Sequence, residues 1–132
     1  MLFKTRAAIV LATIPAFLVA TSNYAHATVV TVSCTSGGFT GYMQLTDKFH
    51  PKLYYNIQKG SNSGGNKANI YVSDAGLMPT LNLANNDNGV QDGQWHLYYG
   101  PYARGGGWFT VKFVFDKSNA GDPSCTKSQY IG

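Results

Sequence analysis

From Thr28 onward, apolar and polar residues alternate with period two in short runs, broken about every 8–14 residues by Gly, Asn, Asp, Ser or Pro. Successive side chains of a strand point to opposite faces, so each run predicts a half-buried β-strand. Thr28–Cys34 sets Val30, Val32 and Cys34 on one face, and Phe39–Thr46 sets Phe39, Gly41, Met43 and Leu45 opposite Thr40, Tyr42, Gln44 and Thr46. Lys52–Gln58 turns Leu53, Tyr55 and Ile57 inward against Tyr54, Asn56 and Gln58; Lys67–Ser73 does the same with Ala68, Ile70 and Val72 against Asn69, Tyr71 and Ser73. Thr80–Leu83 contributes Leu81 and Leu83. In Gln94–Tyr99 the apolar set Trp95, Leu97 and Tyr99 reads as inward, opposite His96 and Tyr98. The strongest run, Gly107–Asp116, aligns Phe109, Val111, Phe113 and Phe115 against Trp108, Thr110, Lys112 and Val114, a composition suited to a central strand. Ser124–Tyr130 predicts a last edge strand anchored by Cys125.

Helix signals are nearly absent. The chain has no Glu, and all 15 glycines follow residue 27. Seven or eight short strands without crossover helices exclude a parallel sheet. They predict an all-β fold: a small antiparallel β-sandwich, with an immunoglobulin-like arrangement as one option, or a partly open barrel. Three segments read as loops, namely Gly60–Asn66, the Asn- and Asp-rich Asn82–Gly93, and Gly100–Gly107.

The first 27 residues break the pattern. Lys4 and Arg6 precede an apolar run from Ala7 to Ala20, and Ala25-His26-Ala27 supplies small residues where a signal peptidase cuts. Met1–Ala27 is thus expected to be a secretory signal and Thr28–Gly132 a single domain of 105 residues. Losing Lys4 and Arg6 leaves eight basic residues against six Asp, so the net charge falls from +4 to +2. So weak a charge gives no expectation of a nucleic-acid partner, and no second apolar run is long enough for a membrane span. Export places Cys34 and Cys125 where paired thiols oxidise, which predicts one disulfide tying the first strand to the C-terminal one.

Candidate chemistry divides into three kinds. His50 and His96 are the mature chain's only imidazoles, and a pair of them would suit acid–base cleavage of a phosphodiester, the small-nuclease reading. Asp87, Asn88 and Asp92 offer oxygen ligands, but their spacing does not match a calcium loop, so neither metal nor cofactor is expected. The most informative set is aromatic. Tyr42, Tyr54, Tyr71, Tyr98 and Trp108 all occupy positions read as outward, among Thr, Gln and Asn. Rings beside amides and hydroxyls suit carbohydrate or an extracellular protein surface. Tyr102 and Arg104, on the Gly-rich loop, read as an exposed tip that could enter a partner's cleft. The expected function is therefore a secreted, non-catalytic binding protein. An inhibitor or toxin-like protein acting through that tip stands second and a nuclease third.

Overall fold

The computed structural model describes residues 30–62, 67–76, 80–118 and 121–132, with side chains at 85–88 left out. The expected signal segment, Met1–Ala27, lies outside the described residues. Eight strands form in order: β1 (Val30–Ser36), β2 (Phe39–Leu45), β3 (Leu53–Gln58), β4 (Lys67–Asp74), β5 (Leu81–Val90), β6 (His96–Tyr99), β7 (Gly107–Val114) and β8 (Ser124–Ile131). They pair antiparallel into a first sheet ordered β1-β2-β3-β6 and a second ordered β5-β4-β7-β8. No helix occurs among the described residues, and the architecture is a sandwich rather than a closed barrel. The first three strands form a meander within one sheet. That differs from the immunoglobulin order, in which the third strand belongs to the opposite sheet.

Local chemistry explains the pairings. Gly37 and Gly38 link β1 to β2 in a two-residue turn with φ of 61° and 90°, conformations that side chains resist and tight hairpins require. The alternating residues of β2, β3, β4 and β7 fill the space between the sheets, where Phe39, Met43, Ile57, Ile70, Phe109 and Phe113 are fully buried. Phe39 stacks on Phe115 with ring centroids 5.1 Å apart, and Phe113 stacks on the same ring at 5.8 Å. Gly41 makes room for this stack, since a methyl group there would lie 2.5 Å from the Phe113 ring. Gly41→Ala is therefore expected to cost about 1–3 kcal/mol by overpacking, read as a lower denaturant midpoint.

The disulfide forms between Cys34 and Cys125, joining β1 to β8 with a Cα–Cα distance of 5.9 Å. Both strands are sheet edges, so the bond closes one side of the sandwich. Lys127, in register with buried Val111, puts an exposed charge at a core-facing position of β8. An inward-pointing charge on an edge strand opposes pairing with another chain.

Two readings from the alternation are corrected. In β6 the inward side chains are His96 and Tyr98, whereas Trp95, Leu97 and Tyr99 are 45, 55 and 38% exposed. Polar tips that reach partners settle this orientation. Tyr98 Oη donates to the Ile70 carbonyl, beside the register shift in β4, and the His96 ring stacks on Tyr55 at 5.2 Å. The second correction concerns Asn82–Gly93, which is strand as far as Val90 rather than loop. Pairing with β4, through Ala68 opposite Gly89 and Lys67 opposite Val90, overrides the weak strand preference of Asn and Asp.

Candidate functional site

The outward residues of the second sheet form a graded face. At one end Trp108 is opposite Tyr130, each 58% exposed, with their rings edge to face at 5.8 Å. One step inward along the face, Thr110 is opposite Ser128, their hydroxyls hydrogen-bonded at 2.8 Å, and Ser73 flanks Thr110 on β4. The next row sets Lys112 between Tyr71 and Thr126, with the Lys112 ammonium 5.9 Å from the centre of the Tyr71 ring. An open cleft of about 370 Å³ lies over these two rows, lined by Tyr71, Ser73, Asn82, Thr110, Lys112 and Thr126 among others. Period-two alternation produces this arrangement, because the same strands turn Ile70, Val72, Phe109, Val111 and Phe113 into the core. Tyr130 did not stand out in the sequence, although Ser124, Thr126, Ser128 and Tyr130 share one outward phase.

Tyr42 and Tyr54 lie on the outer face of the first sheet, so the aromatic set is divided between opposite sides of the sandwich. Both are half-buried. Trp95 leans on Tyr42 at 6.2 Å, and Tyr54 is opposite exposed Leu97. Beneath them Asn56 is buried. Its amide donates to the Gly93 carbonyl, and its own carbonyl oxygen has no partner. Tyr98, expected outside, packs inward against the core, its ring edge-on to Tyr55.

The exposed tip proposed for Tyr102 and Arg104 is not present. Arg104 is 6% exposed and its side chain enters the protein. Its Nε and Nη2 donate to Oδ2 and Oδ1 of Asp74 at 2.8 and 2.9 Å, and its remaining donors reach the carbonyls of Ile131 and Gly107. Tyr102 Oη donates to Oδ2 of the same carboxylate at 2.7 Å, and the Gly76 amide donates to Oδ1. Burial pushes the Asp74 pKa up, but these four hydrogen bonds and the guanidinium charge outweigh it and hold the carboxyl below its ordinary range. Burial, reinforced by the bond to the carboxylate, raises the Tyr102 phenol. Asp74 was legible as a core anomaly, since it continues the inward phase of Ala68, Ile70 and Val72. A carboxylate there calls for a cation, and Arg104 is the only arginine after residue 27.

The strand pairing does not bring the two histidines together. His96 begins β6, and its Nε2 meets both oxygens of Asp92 at 2.9 and 3.0 Å. His50 belongs to the loop beyond the Tyr99 end of β6, where Pro51 and Phe49 carbonyls accept from the Tyr102 and Arg104 amides. Burial acts to raise the Asp92 pKa, and hydrogen bonds from His96 and the Gln94 amide overcome it and lower it. A second, more polar hollow of about 430 Å³ lies beside this pair, between Gln58–Gly60 and Val90–Gly93. Among the described residues no group of three or more His, Cys or Asp side chains is placed to hold a metal, and no helix is long and apolar enough to cross a membrane. No protein-family model, curated protein or solved structure matches the chain.

Proposed function

We propose that this domain is an exported, non-catalytic recognition module that binds carbohydrate across the outer face of its second sheet. The observation that carries this reading is the Trp108–Tyr130 pair, two large rings more than half exposed on the same face as an open, mainly apolar cleft that also presents the hydroxyls of Tyr71, Ser73, Thr110 and Thr126. Rings on a protein surface leave apolar area in water, and a ligand that covers them recovers it. Sugars present C–H faces that stack on such rings and hydroxyls that pair with neighbours such as Thr110, Ser128, Ser73 and Thr126. The low charge of the chain agrees with a ligand bound mainly by stacking and neutral hydrogen bonds.

Glycan-array screening of the oxidised protein tests this directly. Wild type is expected to retain a set of oligosaccharides, with Trp108→Ala and Tyr130→Ala each weakening the best of them by about tenfold. Both residues are exposed, so near-ultraviolet and thermal profiles should confirm an intact fold. Absence of any glycan binding, or full binding in both variants, overturns the reading.

A further inference from the structure

The chemistry of the face changes along its length. Trp108 and Tyr130 supply an uncharged aromatic end. Four residues along β7, about 13 Å at strand rise, Lys112 supplies an ammonium. Among the described side chains of the face, no carboxylate pairs with that ammonium. The outward positions of β4, β7 and β8 carry no carboxylate; the next outward acid along the chain, Asp116, lies beyond the end of β7. Asp74 points inward to Arg104, and Asp92, which lines the second hollow, is engaged with His96. Tyr71 holds the ammonium over its ring by cation–π attraction, which keeps the charge at the cleft wall. Between the two ends, Thr110, Ser128 and Ser73 form a floor of hydroxyls.

We infer that the ligand is an acidic oligosaccharide bound lengthwise, with a neutral ring stacked on Trp108 and Tyr130 and a carboxylate- or sulfate-bearing ring at Lys112. This rests on the carbohydrate reading above and deepens it in two respects. A single sugar ring, no wider than the aromatic ring it covers, cannot reach both ends of a 13 Å strip, about four residues of strand, so the ligand is a chain. Charge complementarity then sets its direction, because the outward lysines of β4 and β7, Lys67 and Lys112, both lie toward the end away from Trp108.

The test uses paired oligosaccharides that differ only in charge. Tetrasaccharides bearing uronate, sialyl or sulfate groups are titrated against their methyl-esterified or unsulfated counterparts, with the corresponding monosaccharides as a third arm. Wild type is expected to bind the acidic member of its best pair about two- to fivefold more tightly, and monosaccharides at least about tenfold more weakly. Lys112→Gln should erase the preference for the acidic member, Lys112→Arg should retain it, and Trp108→Ala should weaken both members equally. The preference should also shrink from low to high salt. Equal or tighter binding of neutral chains by wild type, or an acid preference surviving Lys112→Gln, overturns the inference and leaves the carbohydrate reading standing. Failure of every glycan, acidic and neutral, overturns both. The carboxylate and sulfate arms identify which anion the Lys112 end accepts.

Discussion

Arg104→Ala is expected to lower the unfolding free energy by about 3–5 kcal/mol, because it strands the Asp74 carboxylate in the interior without its cation. The pair itself need not stabilise by that amount, since two charges must first be taken out of water. Replacing both partners by apolar groups, as in Asp74→Leu with Arg104→Met, should therefore cost less than either single change, and a double-mutant cycle in denaturant measures the difference. Acid provides an independent check. In the wild type the folded Asp74 pKa lies below its unfolded value, so the stabilisation is present above about pH 4 and is lost as pH falls through the folded pKa. In Arg104→Ala a buried carboxylate without its cation should have a raised pKa, and the sign reverses. Native protein then binds more protons than unfolded chain, so this variant should gain stability as pH falls from neutrality toward 4. A stability curve parallel to wild type over that range would show that Arg104 is not what holds Asp74 ionised.

The strands were legible because their physics is local and repeated. Phe39–Leu45 and Gly107–Val114 each state, every second residue, which side is buried, and the structure buries that side. The pairing of Cys34 with Cys125 was legible because two cysteines allow one bond. β6 was not, because Trp95, Leu97 and Tyr99 outweigh His96 and Tyr98 in hydropathy. The decision rests on partners the strand cannot display: the Ile70 carbonyl, the Tyr55 ring and Asp92. An edge strand loses little by exposing one apolar face, so a few well-placed polar bonds set its phase. The long β5 was hidden for the same kind of reason, its Asn-rich half being drawn into the ladder by β4. The outward placement of Tyr71 and Trp108 follows from alternation. Their grouping with Tyr130, on the side opposite Tyr42 and Tyr54, follows from strand order, which no local pattern encodes. Arg104 shows the converse error. A glycine-rich segment promises exposure, yet Gly76 and Gly107 leave the space in which the guanidinium and its loop approach β4, and a Cβ at Gly76 would lie 2.6 Å from the guanidinium.

Removing the disulfide should have an effect of similar size through the unfolded state. Cys34 and Cys125 are separated by 91 residues, and opening a loop of that length restores chain entropy equivalent to about 4–5 kcal/mol. Very little of the native structure has to change for this to occur. β1 keeps its ladder with β2 and β8 keeps its ladder with β7, with Phe113 remaining opposite residue 125. The Cys34→Ser, Cys125→Ser protein should therefore retain the native near-ultraviolet spectrum in buffer while unfolding at a much lower denaturant concentration. Because the open chain expands further than the cross-linked one, its transition should also be steeper in denaturant, a larger m-value than the oxidised protein shows. A sandwich of this size has roughly 5–15 kcal/mol of total stability, so the loss moves it close to unfolding at physiological temperature. An unchanged midpoint in this double variant would show that the bond closes a side of the sandwich already held shut by its strands. A lower midpoint with an unchanged m-value would place the effect in the native edges, where β1 and β8 meet, rather than in the unfolded chain.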